Sequence, residues 1–101
     1  MFWSKIPLDH QIDEYCSWKK LNSPTAASLD KEWLERFKRF SKRKTVEDIT
    51  LNDIMRFREK VWSEGAKYPV LAASQAIRCF LRYFKARKYP CLSPLVIEKP
   101  F

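Results

Sequence analysis

The chain has 101 residues, 46% of them apolar and 15% aromatic, and its 20 Lys and Arg outnumber 12 Asp and Glu for a net charge of +8. That length allows one domain with a single modest core, the apolar share excludes a disordered chain, and no apolar run approaches the roughly 20 residues of a membrane-spanning helix. One glycine and one histidine leave little material for phosphate-cradling loops or histidine-based metal sites.

The first predicted element is an amphipathic helix over 8–21, with Leu8, Ile12, Tyr15 and Cys16 on its apolar side and Asp9 at its start. Ser23-Pro24 then reads as a helix start, serine as the N-cap and proline at the first helical position. The second helix runs over 24–43. Ala26, Leu29, Trp33, Phe37 and Phe40 share an arc at 100° per residue, and Lys31, Lys38 and Lys42 oppose it.

Thr50 and Asp53 are spaced as a capping box, with Ile49 and Ile54 placed as the hydrophobic staple around it. They predict a third helix over 51–63 with Ile54, Phe57 and Val61 inward, stopped by Gly65. Pro69 opens the fourth helix, 69–88. Its inward residues are Val70, Ala73, Ile77, Phe80, Leu81 and Phe84, and its outward ones include Gln75, Arg78 and Arg82. The proline-rich end, YPCLSPLVIEKPF, has no helical period and reads as an extended tail. Four short helices with brief connections and no strand pattern predict a compact all-α bundle.

The three cysteines are widely spaced and form no CxxC, so they read as free thiols of an intracellular, cytoplasmic protein. The first ten residues lack the basic and long apolar regions of a signal peptide. Membrane binding is disfavoured because every helix has an apolar side that the other helices can bury.

Charge is segregated along the chain. Residues 25–44 hold seven basic and three acidic side chains, residues 45–66 three basic and five acidic. Residues 67–88 hold six basic and none acidic, and both termini are balanced. Solvation alone gives no reason to keep acids out of 22 consecutive residues, whereas a polyanionic partner does. The electrostatic candidates are Lys31, Lys38, Lys42, Arg78, Arg82 and Lys85, and Thr25, Ser74 and Gln75 can make short polar contacts near helix starts. Most aromatics fall at core phases, with Trp18, Trp62 and Tyr83 scattered off them, so double-stranded DNA is favoured over a single strand. There is no GxGxxG, Walker loop, HExxH or GxSxG, and no polar constellation around a Ser or Cys. The chain reads as a binding module with no cofactor and no catalytic residue of its own.

In order and spacing these segments resemble the N-terminal core-binding, SAM-like domain of tyrosine recombinases of the phage-integrase type. The residues that carry the resemblance are Ser23-Pro24-Thr25 with Leu29, Trp33, Phe37 and Phe40; Asp48-Ile49-Thr50 with Asp53, Ile54 and Phe57; Ile77-Arg78-Cys79-Phe80 with Phe84; and the Ser93-Pro94 exit. Leu29 stands where an aromatic is frequent, Ser93 where Asn is frequent, and Pro69 at the head of the fourth helix is a further departure.

The resemblance implies a four-helix orthogonal bundle over residues 1–94, with 95–101 starting a linker to a C-terminal catalytic domain absent here. It implies helices two and four toward the major groove of a recombination site, supporting DNA integration or recombination together with other protomers. The catalytic residues of the family belong to that second domain, so none is assigned to this chain. The alternatives are a stand-alone helical DNA-binding regulator and a helical protein-interaction module.

Overall fold

Four α-helices follow one another: α1 (Leu8–Lys20), α2 (Pro24–Ser41), α3 (Leu51–Glu64) and α4 (Lys67–Ala86), with one 3₁₀ turn at Val46–Asp48 leading into α3. The structure is a computed structural model that describes residues 6–65, 67–89 and 91–92, apart from the side chains of Lys67 and Tyr68. No strand occurs among the described residues, and the fold is all-α. The Ser93-Pro94 exit and the 95–101 linker lie outside the described residues.

Helices α2 and α4 each pack on all three of the other helices. The six expected inward residues of α4, Val70, Ala73, Ile77, Phe80, Leu81 and Phe84, are all buried. Ile54, Phe57 and Val61 of α3 and Leu8, Ile12, Tyr15 and Cys16 of α1 meet them in one continuous core. Aromatic rings make edge-to-face contacts through it: Phe37 on Phe57 at 5.3 Å, Tyr15 on Phe80 at 5.7 Å, and Phe80 on Phe84 at 5.0 Å between centroids. Burial pushes the Cys16 thiol up to about 11, as expected of a cysteine serving as a small apolar side chain.

Helix α2 sits differently from the arc its sequence suggests. Its buried residues are Ala27, Leu34 and Phe37, while Leu29 is 55% exposed and Ala26, Trp33 and Phe40 are half-buried. The apolar residues of the helix spread over nearly half its circumference, and packing against both α1 and α4 selects the side centred between Ala27 and Phe37. Tyr83 is likewise not off the core but buried in it, with its hydroxyl donating to Glu14 Oε2 at 2.9 Å.

Helix ends show which local rules held. The Thr50 cap is a complete capping box: Thr50 Oγ1 accepts from the Asp53 amide at 3.2 Å, and Asp53 Oδ2 accepts from the Thr50 amide at 2.9 Å. Ile49 and Ile54 flank it, both buried. Ser23 precedes Pro24 as expected, but its side chain caps nothing; its carbonyl accepts from Ala27 instead.

Helix α2 ends at Ser41 because Lys42 turns left-handed, φ 58°, and Lys88 does the same just beyond α4, φ 66°. Two lysines thus occupy the conformation usually given to glycine. The one glycine near a helix end, Gly65, has extended backbone with φ 177° and open space around its α-carbon. Helix α4 begins two residues before Pro69, because first-turn amides have no partner inside a helix and proline loses nothing there.

Two buried polar groups position the segment between α2 and α3. Gln11 is fully buried, and its Oε1 accepts from the Val46 amide at 2.9 Å, holding the 3₁₀ turn against α1. Asp53 receives Arg43 Nε and Nη2 at 2.8 and 3.0 Å besides the Thr50 amide. Burial opposes the charge on Asp53, yet the bonds from Arg43 and Thr50 outweigh it and hold the carboxyl below its ordinary value.

A depressed carboxylate stabilises the fold above its unfolded value, 3.8, and that contribution disappears as pH falls through the lower folded one. Urea midpoints measured between about pH 6 and about pH 2 should therefore fall for the parent and fall less for Asp53→Asn. Glu64, also held low by Lys60 and Arg36, adds in the same direction and is left intact by that change. Thr50→Ala removes half of the capping box and should cost about 1 kcal/mol in the same measurement.

Candidate functional site

An α-helix buries one side and shows the other. On α4 the outward line is Leu71, Gln75, Arg78, Arg82 and Lys85, spaced four, three, four and three residues apart. At 1.5 Å per residue it runs for about 21 Å. Gln75, Arg82 and Lys85 are exposed and Arg78 is half-buried. No carboxylate among the described residues forms an ion pair with Arg82 or Lys85; the Lys85 ammonium instead donates to the Cys91 carbonyl at 3.3 Å.

At the C-terminal end of α4, Arg87 is occupied otherwise. Its guanidinium lies 3.6 Å from the Tyr83 ring centroid and 5.7 Å from that of Trp18, and it donates to the Tyr83 carbonyl at 3.1 Å. It serves as a lid on the core's edge.

The basic residues of α2 have a different fate, because α1 brings its acids alongside them. Lys38 pairs with Asp9 of α1 and, at 3.5 Å, with Glu35 on its own helix. Its ammonium is held above its ordinary range chiefly by the Asp9 hydrogen bond. Lys31 lies 3.7 Å from Asp13. Arg36 reaches across to Glu64 of α3 at 2.9 Å, where Lys60 also binds. Lys42 projects from the left-handed end of the helix and makes no ion pair with a described residue.

Eight of the nine candidate residues therefore fall into three groups. Gln75, Arg78, Arg82 and Lys85 share one side of α4. Lys38 and Lys42 line a cleft where α2 ends against the start of α1. Thr25 is exposed at the first turn of α2, and Lys31 lines a shallow hollow with Asp13, Ser17, Lys20 and Ser28.

Ser74 belongs to none of them. It is 2% exposed, on the core side of α4, so its hydroxyl does not reach the surface. The residues that sequence missed are Arg43 and Lys44, which line the cleft beside Lys42. The run KRK at 42–44 was visible, but its exit from the helix into a pinned turn was not.

No family model, no curated protein and no solved structure matches this chain. Among the described residues, no helix is long and apolar enough to cross a membrane.

The Ser74 hydroxyl has no hydrogen-bond partner among the described residues. Removing an unsatisfied buried hydroxyl relieves a desolvation cost. Ser74→Ala should accordingly leave stability unchanged or raise it by about 1 kcal/mol, read from the thermal midpoint.

Proposed function

We propose that the chain is a duplex-DNA-binding domain that grips the phosphate backbone chiefly through the outward side of α4. The observation that carries this reading is the acid-free line Gln75–Arg78–Arg82–Lys85, on a helix whose opposite side is wholly buried. An α-helix is narrow enough to enter a major groove about 12 Å wide, and Arg and Lys on its outward side neutralise phosphates and release condensed counterions. Gln75, like the arginines of this line, can address a base edge by paired hydrogen bonds.

Given the resemblance in the spacing of its apolar and capping residues, the best-supported parent is a tyrosine recombinase of the phage-integrase type. The chain would be its SAM-like core-binding domain, serving integration or recombination with a separate catalytic domain and with other protomers. Helix α2 takes a lesser part than its charge suggests, since Lys31 and Lys38 already have carboxylate partners. Thr25 and Lys42 remain its exposed contributors.

A second reading, a protein-interaction module, is favoured by one feature. Leu51, Met55 and Trp62 lie along one exposed side of α3, a helix whose three cations are matched by three carboxylates.

Duplex titrations at several salt concentrations separate the two. Under the DNA-binding reading, the logarithm of affinity falls linearly with that of salt, by about 0.9 per neutralised phosphate. Arg82→Glu with Lys85→Glu should then lower affinity at least tenfold and flatten that slope by about 2, with an unchanged circular-dichroism melt. Affinity independent of salt, or a double variant that binds duplex as well as the parent, would remove α4 as the contact surface.

A further inference from the structure

Where α2 ends, the chain turns back across the start of α1 and leaves an open cleft of about 640 Å³. Pro7, Leu8 and Asp9 form one wall, and Lys38, Lys42, Arg43, Lys44, Thr45 and Asp48 form the rest. Four cations thus face two carboxylates, and both carboxylates are engaged. Asp9 is bound by Lys38, and Asp48 accepts from Thr45 Oγ1 at 3.0 Å.

Arg43 spends Nε and Nη2 on Asp53, which leaves the hydrogens on Nη1 without an acceptor among the described residues. Lys42 and Lys44 are exposed and make no ion pair with a described residue. The positive end of the α1 dipole adds to the same field.

Ordinary surface lysines sweep a large volume, whereas the backbone beneath these two is held. The Lys42 amide donates to the Lys38 carbonyl at 2.9 Å, closing the left-handed helix end. The Leu8 amide donates to the Lys44 carbonyl at 2.6 Å, tying the turn to α1. Between them the Arg43 fork is fixed on Asp53, and Thr45 is buried. Three successive cationic residues therefore stand on a turn pinned at each end and in its middle. That lowers the ordering cost an anion must meet.

We infer that this cleft is a phosphate-binding site, held by Lys42, Lys44 and the outer edge of Arg43. Phosphate suits it because a compact, multiply charged oxyanion can engage two ammoniums and one guanidinium edge at once. The cleft is large enough to admit a phosphate with an organic substituent lying on Pro7 and Leu8. The group can come from a nucleic-acid backbone or from a free phosphate compound. Only the first source rests on the function proposed above.

The test is an amide-resolved NMR titration of the intact chain with inorganic phosphate, with chloride matching ionic strength. Saturable shifts at Asp9 and residues 42–45, with affinity on the order of millimolar, are expected. Lys42→Gln with Lys44→Gln should weaken that affinity about tenfold, while Arg82→Gln with Lys85→Gln leaves it unchanged. No saturation at these amides, or the same titration in the Lys42/Lys44 variant, overturns the site.

Duplex binding then identifies the source. A salt slope flattened by about 2 in the Lys42/Lys44 variant places a backbone phosphate in the cleft. An unchanged slope alongside an intact phosphate titration assigns it to free phosphate compounds. If the parent binds no duplex but still titrates with phosphate, the DNA reading falls and the cleft stands.

Discussion

A helix that buries one complete side has no choice about where its charges go. Helix α4 gives Val70, Ala73, Ile77, Phe80, Leu81 and Phe84 to the core, and three other helices seal them there. Burying an unpaired ammonium or guanidinium costs far more than any nearby apolar contact returns. The cations of the segment must therefore lie on the opposite side or fold back over the core's edge, as Arg87 does over Tyr83 and Trp18. The constraint that builds the core thus fixes which side of α4 carries its charges, though not their sign.

The second constraint is that carboxylates are fewer than cations, 12 against 20, so their placement decides which cations are left for a partner. Asp9, Asp13, Asp53 and Glu64 go to Lys38, Lys31, Arg43 and Arg36. Each of these cations lies on α2 or just after it. Glu14, the α1 acid that does reach α4, accepts from the Tyr83 hydroxyl and raises that phenol, second to its burial. The pairing thus engages cations of α2, whereas Arg82 and Lys85 of α4 form no ion pair with a carboxylate among the described residues. Two helices with four basic residues each can thus offer unequal positive fields.

This is why the sequence told the story of α4 and α3 well and that of α2 poorly. On α3 and α4 every predicted inward position is buried, although Leu51, Met55, Trp62 and Leu71 of the same helices are exposed. The Thr50–Asp53 box is a four-residue motif whose partners are set by local geometry, so it too was legible. On α2 the apolar residues admit more than one arc, and the choice between Leu29 and Leu34 was made by α1 and α4. The ion pairs join residues 18 to 29 positions apart in the α1–α2 hairpin, a separation at which spacing carries no information. The ends of α2 and α4 were placed two residues late because left-handed lysines stop them, and lysine is not a stop signal.

The Arg43–Asp53–Thr50 knot connects these themes. Asp53 caps α3, and through Arg43 it also fixes the turn that leaves α2. Gln11 holds the next residues of that connection from the α1 side by its bond to Val46. A turn so held presents Lys42 and Lys44 in the same place whether or not a ligand is there. By contrast, the α4 line is presented by the rigid helix itself. The molecule therefore displays two preorganised cationic features of different make: one flat, its cations from Arg78 to Lys85 spread over about 10 Å at about 1.5 Å per residue, the other concave. A duplex can lie along the first, whereas the second fits a single phosphate group. Loosening the knot should blur the second more than the first, because the side-chain bonds of Arg43 go to Asp53 of α3.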